Sequence, residues 1–281
     1  MIFEHEIPTG SRLYFGQTAK LKRVLENGAS DFLEDKGFEE IVTPNFSYSG
    51  HQSIDNKKSL ITLSDEVNNS LALRADSTLD VVRIISKRLG RATLHKKWFY
   101  VQPVFTYPAN ESYQIGAEWI GHDNICDMIN LNCDLLSKFD VDTLVQIANI
   151  NIPMIIAKEY DIDIELFKNG EIGALFDLEF EWLTKLISVR TAEDLENILK
   201  ILPKCLEVEC QKLANIAKKI EYKNVNISPI YYSAMKYYDD IYYRVINNNL
   251  TIAKGGGYKS IGIDSLGFAI YTDNLLKVME G

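Results

Sequence analysis

Cysteine and histidine are scarce in this sequence, which has four of each among its 281 residues. The cysteines are Cys126, Cys133, Cys205 and Cys210; they form no CxxC pair, and no histidine lies near the last two. His122 and Cys126 would share one face of a helix, but two ligands do not make a zinc site. We therefore expect no metal site. The thiols fit a reducing compartment, which predicts a cytoplasmic protein with buried or idle cysteines.

Basic charge and long apolar runs are lacking as well. Thirty Lys and Arg stand against 39 Asp and Glu, which gives a net charge of −9. Tight nucleic-acid binding needs a basic face, so the charge balance predicts no nucleic-acid partner. No apolar run approaches the roughly 18–20 residues that span a bilayer, and MIFEHEIPTG has no basic region typical of a signal peptide. We expect a folded globular protein with no membrane segment.

Hydrophobic spacing predicts the first elements of the chain. Apolar residues at helical intervals over 17–38 indicate a helix that Gly37 ends. The segment FEEIVT follows as a strand that Pro44 stops. Thr78 is expected to be the N-cap of a helix that runs to Leu89. Two strand-like runs, FYVQPVFT and YQIGAEWIG, are joined by a turn-rich link and predict a hairpin.

The pattern changes to helical from about 161 to 223. LFDLEFEWLTKLI, TAEDLENILKIL and ECQKLANIAKKI predict three helices, and Thr191 is a favoured helix start. Beyond 224 the patterns ISPIYYSAM, DIYYRVINN, LTIAKG and SLGFAIY predict strands, before a last helix over 273–279. The glycines of AKGGGYKSIG lack phosphate-loop spacing, and we expect a tight turn there. These elements predict one α+β domain over 1–281, with a helical insertion at about 161–223.

Five segments resemble, in order, motifs of the class II aminoacyl-tRNA synthetases, and of histidyl-tRNA synthetases in particular. GFEEIVTP resembles motif 1, LRADST the LRPEGT segment, FYVQPVFTYPANESYQIGAEWIG motif 2 with the strand behind it, AKGGGYKSIG the GGRYDGL turn, and LGFAIYTDNL motif 3. The resemblance covers most of the chain outside the helical insertion. It implies an antiparallel sheet flanked by helices, and a homodimer contact built by the helix and strand over 17–43.

Arginines of those motifs are replaced in this sequence. The motif 2 arginine that contacts the ATP α-phosphate corresponds to Thr106, and the motif 3 arginine corresponds to Asn274. Neutral side chains do not replace bidentate cations, and each lost contact of this kind costs about 10²–10³ in rate. RGLDYYTG corresponds to SAMKYYDD, so that its arginine becomes Ser233, and the GGRYD turn loses an arginine at Gly257. We expect no catalysis, no bound cofactor and no anticodon-binding domain.

Among synthetase-like proteins, this sequence most resembles the regulatory subunits of ATP phosphoribosyltransferase, the first enzyme of histidine biosynthesis. The resemblance implies a noncatalytic chain that partners a short catalytic subunit and is needed for its activity and for feedback inhibition by histidine. Two alternatives stay open. One is a diverged class II ligase that activates an amino acid with other cations. The other is a free-standing amino-acid-binding sensor.

The same resemblance implies a histidine-like ligand site. Its residues are Asp76, Thr78, Gln114, Glu118, Tyr238 and Tyr258. Three polar members also have a structural interpretation: Gln114 and Glu118 as an internally satisfied pair on one sheet face or as a solvent-facing edge, and Thr78 as a helix cap. Sheet packing explains most of the paired tyrosines.

Charge decides how well such a site would hold histidine. Arg74 would balance the acidic residues, or form a surface salt bridge. A ligand carboxylate needs a cation, and the family's arginine is Ser233. We expect histidine affinity to be absent or millimolar, about −4 kcal/mol.

Overall fold

The structure is a computed structural model that describes residues 6–51, 57–89, 92–232, 238–260 and 262–280. It divides into two compact units. Unit 1 comprises Met1–His122 and Ser260–Gly281, and unit 2 comprises Asp123–Lys259. The predicted helical block belongs to unit 2, together with the strands that flank it in sequence.

Unit 1 contains helices and two groups of strands. Its elements are α1 (Gly16–Asp35), β1 (Glu39–Glu40), β2 (Phe46–Tyr48), β3 (Thr62–Ser64), β4 (Ser70–Leu73), α2 (Thr78–Ile84), β5 (Lys97–Thr106), β6 (Asn110–Ile120), β11 (Ile263–Tyr271) and α10 (Thr272–Glu280). Four strands are ordered β1–β5–β6–β11, and three others form a small sheet ordered β2–β4–β3. The hairpin β5–β6 and the pair β6–β11 are antiparallel, whereas β1 runs parallel to β5.

The predicted first helix and its end are confirmed, but the strand after them is much shorter than FEEIVT. Helix α1 buries Leu25, Ala29 and Leu33, which lie four residues apart on one face. Gly37 has a φ of +80°, a backbone conformation that favours glycine after a helix. Strand β1 ends at Glu40, although the amide of Ile41 still donates to the carbonyl of Phe99 at 2.8 Å. By Thr43 the backbone amide pairs with a side chain instead, Oε1 of Gln102 at 3.2 Å.

The predicted N-cap role of Thr78 is wrong. Thr78 is the first residue of α2, and Ser77 holds the cap position, where its carbonyl accepts from the amide of Val81 at 2.9 Å. The hydroxyl of Thr78 lies instead 3.4 Å from that of Tyr100. A π-helical turn, Ile85–Leu89, continues α2 to the predicted end.

Unit 2 combines a block of helices with four strands. Its elements are α3 (Ile125–Ser137), β7 (Leu144–Asn149), α4 (Asn151–Glu159), α5 (Ile164–Lys168), α6 (Ile172–Phe176), α7 (Glu181–Ser188), α8 (Ala192–Ile198), α9 (Lys204–Ala217), β8 (Val225–Ile227), β9 (Tyr238–Asn247) and β10 (Leu250–Ser260). The strands are ordered β10–β9–β7–β8. Strand β9 is antiparallel to both β10 and β7, and β8 is parallel to β7.

Several predictions for unit 2 need correction. Strand β7 was not predicted at all, and the single helix expected from LFDLEFEWLTKLI is two, α6 and α7, with Glu179 at a φ of +56° between them. Among the described residues of ISPIYYSAM, only the first lies in a strand, because the chain turns where the amide of Tyr231 donates to the carbonyl of Ser228. Its last three residues lie outside the described ranges. The start of α8 at Thr191 is confirmed, with a reciprocal capping box to Asp194.

The tight turn expected at the three glycines is wrong. Gly255, Gly256 and Gly257 all lie inside β10 and pair with β9. A Cβ on Gly255 would stand 2.6 Å from the ring of Tyr243, and one on Gly256 would stand 2.7 Å from the ring of Tyr238. These glycines make room for tyrosine rings, a close approach that short-range sequence signals do not reveal.

Two properties of the described part of the chain bear on function. Its helices include none with both the length and the apolar character needed to cross a membrane. Within the same residues, no three His, Cys, Asp or Glu side chains are grouped as metal ligands would be. The four cysteines are free thiols, and Cys205 is the exposed one.

Candidate functional site

The candidate site in unit 1 is built on one face of β6. Gln114, Gly116 and Glu118 alternate along this strand, so their Cβ directions share a face. Gln114 and Glu118 are both buried, and Glu118 has no exposed surface. In β5, Tyr100 is directly opposite Gly116; in β11, Gly267 is directly opposite Glu118. The prediction that Gln114 and Glu118 share a face is therefore confirmed.

Two glycines shape this face. A Cβ on Gly116 would overlap the ring of Tyr100, which therefore lies across that glycine. A Cβ on Gly267 would overlap Oε2 of Glu118, so the carboxylate lies across the neighbouring strand. In both cases a large side chain occupies the space that a Cβ would fill. The glycines of QIGAE and LGFAI thus explain how a buried phenol and a buried carboxylate fit together.

Tyr100 is the residue on which the acidic members of the site converge. It is fully buried, and its hydroxyl lies 3.4 Å from that of Thr78. Burial raises the pKa of Tyr100 well above its ordinary value, and the negative charges of Glu118 and Asp76 raise it further. The structure thus brings Asp76, Thr78 and Glu118 together around one phenol. Such a face is rich in acceptors, and it suits a ligand group that donates hydrogen bonds, such as an ammonium.

Arg74 is a buried residue that links backbone segments, so the predicted surface salt bridge is wrong. It is 1% exposed, which excludes a surface salt bridge. Its guanidinium donates to the carbonyls of Thr43 and Pro103 at 2.6–2.9 Å, to that of Pro44 at 3.2 Å and to Oδ1 of Asn45 at 3.0 Å. The same arginine hydrogen-bonds through its own backbone to Asn45. Arg74 therefore ties the segment after β1 to β5, which positions the strand carrying Tyr100.

A glutamine beside this clamp extends the polar face. Oε1 of Gln102 accepts from both the amide and the hydroxyl of Thr43, at 3.2 and 3.1 Å. Nε2 of Gln102 is buried and has no hydrogen-bond partner among the described residues. Gln102 is directly opposite Gln114, so the two amides are cross-strand neighbours.

The two tyrosines assigned to the site belong to unit 2. Tyr238 and Tyr258 are cross-strand partners in β9 and β10, and both are buried. The ring of Tyr238 lies 5.2 Å from that of Tyr242, in a cluster that includes Ala148 and Ile150. Sheet packing therefore accounts for the position of Tyr238 within its own unit.

Two of the positions that correspond to synthetase arginines lie on different elements. Thr106 is the last residue of β5, and Asn274 lies in the first turn of α10. Next to Asn274, Asp273 accepts hydrogen bonds from the hydroxyl of Tyr14 and, at 3.3 Å, from the amide of Tyr113. Ser233 lies outside the described residues.

Tyr100 and Gln102 are site residues that sequence reasoning missed. Both lie in FYVQPVFT, which was interpreted only as a strand. The available signal was the glycine of QIGAE, because a glycine inside a strand often marks a place where another group approaches closely, without showing which group. Identifying which side chain required the register Tyr100–Gly116.

Comparisons with known proteins agree with this fold. The family model described as histidyl-tRNA synthetase matches residues 14–275. A solved structure, described as an ATP phosphoribosyltransferase regulatory subunit/histidyl-tRNA synthetase from Bacillus halodurans C, has a TM-score of 0.86 at 19% identity; the match covers 100% of this chain and 85% of that one. The predicted class II synthetase-like α+β fold, with a sheet flanked by helices, is confirmed.

Two relatives match the chain over almost its whole length. A protein of Wolinella succinogenes is 42% identical over 277 residues, which cover 99% of this chain and 96% of the relative. A protein of Helicobacter hepaticus is 38% identical over 279 residues, which cover 99% of each chain. Both are described as ATP phosphoribosyltransferase regulatory subunits.

Proposed function

The chain belongs to the family of ATP phosphoribosyltransferase regulatory subunits, and from this premise we propose that it is the noncatalytic subunit of a hetero-oligomeric ATP phosphoribosyltransferase. Its partner is a short catalytic subunit, which needs this chain for activity and for feedback inhibition by histidine. The complex acts in the cytoplasm, at the first step of histidine biosynthesis. The observation that carries the proposal is the 42% identity over 99% of the chain to a protein of that description.

The charges around motif 3 support a noncatalytic role. ATP-dependent adenylation requires cations at the phosphates, and the corresponding positions hold Thr106 and Asn274. Asp273, next to Asn274, adds a buried carboxylate at the start of α10. Arg12, 3.8 Å away at Nε, faces this carboxylate. A triphosphate at this end of α10 would meet the negative charge of Asp273, and Arg12 is already paired with that charge.

The acceptor-rich face of unit 1 is the proposed remnant of a histidine site. Asp76 and Glu118 would accept from the ligand ammonium, with Thr78 and Gln114 as further polar contacts. Tyr238 and Tyr258 are proposed as ligand contacts on the resemblance alone. Because Ser233 replaces the arginine that would face the ligand carboxylate, this site should hold histidine at millimolar concentration, about −4 kcal/mol, or not at all.

A homodimer through the motif 1 segment is also proposed. This segment, 17–43, exposes large apolar side chains, with Val42 at 75% and Val24 at 56% exposed. Leu13 and Phe15, just before it, are exposed as well. Apolar side chains that are exposed together commonly mark a protein–protein contact. The buried stripe of α1 would then face unit 1, while its exposed apolar residues face a second copy.

Reconstitution tests the proposal. The chain should be co-purified with a short-form catalytic subunit encoded in the same genome, and phosphoribosyl transfer to ATP should be measured with and without histidine. We expect the catalytic subunit to be inactive alone, active with this chain, and inhibited by histidine only in the complex. Full activity and histidine inhibition of the catalytic subunit alone would contradict the proposal.

A second assay separates this proposal from a ligase. The purified chain should not support histidine-dependent exchange of pyrophosphate into ATP. Exchange above background that is lost in Glu118→Ala would favour a diverged ligase.

A further inference from the structure

A row of four polar residues crosses the strands of unit 2. Lys254 in β10 pairs with Arg244 in β9, Arg244 pairs with Gln146 in β7, and Gln146 pairs with Asn226 in β8. Directly paired residues of neighbouring strands point to the same face of a sheet. The four side chains therefore lie side by side on one face, with two cations at one end and two amides at the other.

This row borders a cavity of about 480 Å³. Lys254, Gln146 and Asn226 line it, and Phe167 and Leu175 belong to its apolar part. Lys168 and Arg190 line it as well. None of the described residues around the cavity is Asp or Glu, so its lining carries positive charge without a carboxylate.

Two of the three lining cations have partners in the protein. Nζ of Lys168 is 2.6 Å from the carboxylate of Glu165. The guanidinium of Arg190 donates to the carbonyls of Ile187 and Val189 at the end of α7, at 2.6–2.7 Å. Their charges are thus already engaged in local structure.

Lys254 differs from both. Among the described residues, its Nζ has no ion pair and no hydrogen bond. Burial lowers the pKa of Lys254, and the neighbouring charge of Arg244 lowers it further. Arg244 is held in place, because Nε donates to Oε1 of Gln146 at 2.5 Å and the guanidinium lies 4.3 Å above the ring of Tyr231. Two adjacent, half-buried cations with no facing anion among the described residues are costly, and a bound anion would remove that cost.

The opposite end of the row has an unused acceptor. Oδ1 of Asn226 is buried and has no hydrogen-bond partner among the described residues. Three strand spacings separate Asn226 from Lys254, which places their Cα atoms about 14 Å apart. A ligand that reached both ends would need an anionic group, an apolar or planar middle part, and a hydrogen-bond donor.

We propose that this cavity of unit 2 binds a small organic anion, whose carboxylate or phosphate pairs with Lys254 and whose far end donates to Asn226. The site is distinct from the acceptor-rich face of unit 1, which suits positively charged groups. It does not depend on the proposed enzymatic partner, since every residue invoked lies in Asp123–Lys259.

Protection of Lys254 from acetylation tests the proposal on the unmodified sequence. The chain is treated briefly with acetic anhydride, and the acetylated lysines are located by mass spectrometry. Inorganic phosphate is added in one arm, propionate in a second, and chloride at equal ionic strength in the third. We expect phosphate, propionate or both to protect Lys254 from acetylation in a saturable way. Neither anion should protect Lys200, which is exposed. Protection by one anion alone identifies the ligand's charged group, and protection by neither overturns the proposal.

A matched pair of variants tests the same point by calorimetry. Lys254→Met keeps the length of the side chain and removes its charge, and Lys200→Met makes the same change at an exposed position outside the cavity. Affinity for the protecting anion should fall about tenfold or more in Lys254→Met and should be unchanged in Lys200→Met. Equal affinity in wild type and Lys254→Met would overturn the proposal. Unfolding curves of both variants establish that they are folded.

Discussion

The carboxylate of Glu118 in β6 lies across Gly267 in β11, in the space where a larger residue would have its Cβ. Glu118 has no exposed surface, so its side chain has no solvent to move into. Gly267→Ala should therefore destabilise the protein by about 1–3 kcal/mol. Urea unfolding measures the effect.

The control for this variant is Gly173→Ala in α6, where a Cβ would meet nothing within 4 Å. There the substitution should stabilise the helix by up to about 1 kcal/mol. Equal stability of Gly267→Ala and wild type would show that Glu118 has room to move.

The raised pKa of Tyr100 predicts that the protein loses stability at alkaline pH. Its pKa is raised in the folded state, mainly by burial and then by Glu118 and Asp76. The unfolded chain would release this proton near the ordinary pKa of about 10, while the folded chain retains it. The stability that Tyr100 contributes is thus fully present below about pH 10 and is lost as pH rises above it.

Tyr100→Phe removes this titration. Its free energy of unfolding should fall less steeply than that of wild type between about pH 9 and about pH 11. Tyr107→Phe, at an exposed tyrosine, should keep the wild-type slope. Parallel pH profiles of wild type and Tyr100→Phe would contradict the prediction.

Substitution of Arg74 should lower the stability of the protein strongly, although this residue is outside the proposed ligand sites. Arg74→Met would leave the buried carbonyl of Thr43 and the part-buried carbonyl of Pro103 without this donor, at a cost of about 2–4 kcal/mol in unfolding free energy. Arg74→Lys should recover little of it, because an ammonium cannot reproduce the planar set of donors. Arg23→Met, at an exposed position of α1, serves as the control and should change stability by less than about 0.5 kcal/mol.

Histidine binding to the isolated chain should be weak. Calorimetry is expected to give millimolar or no detectable affinity, because Ser233 replaces the cation for the ligand carboxylate. The same calorimetry is carried out on Glu118→Gln and on Glu66→Gln, which makes the same change at an exposed position and serves as the control. Micromolar binding that is lost only in Glu118→Gln would show that another group supplies the missing charge.

The proposed homodimer predicts a charge-sensitive contact next to β1. Val42→Asp, at a residue that is 75% exposed, should convert the dimer to a 32.0 kDa monomer without unfolding it. Val208→Asp places the same charge at a valine that is 72% exposed in α9, outside the motif 1 segment, and should leave the dimer intact. Sedimentation velocity at micromolar concentration distinguishes the two. A monomeric wild type would contradict this assembly.

The elements that were predicted correctly depend on local signals. Helix α1 and its end at Gly37, the β5–β6 hairpin and the capped start of α8 at Thr191 each involve residues that are close in sequence. The polar pair Gln114 and Glu118 was found for the same reason, since strand alternation is a local rule.

The elements that were missed or placed wrongly depend on partners far along the chain. The strand predicted as FEEIVT does not reach Thr43, whose amide bonds a side chain 59 positions away. Gly256 lies inside β10 rather than in a turn, and the ring of Tyr238 occupies the space that a Cβ on this residue would need. Thr78 follows the cap rather than being the cap, and its hydroxyl faces Tyr100 instead.

By itself the sequence determined the family resemblance, the acidic charge and most of the helices, because motif order, composition and apolar spacing are properties of neighbouring residues. Only the tertiary structure decided three relationships. Glu118 and Asp76 both lie near enough to Tyr100 to raise its pKa, and Arg74 is buried, where it links backbone segments. Lys254 lies beside Arg244 at the edge of a cavity. Strand register sets the pairing of Lys254 with Arg244 and the place of Glu118 near Tyr100, whereas Arg74 and Asp76 follow the end of β4. A register joins residues that are distant in sequence, and its choice depends on how whole strands pack rather than on any short segment.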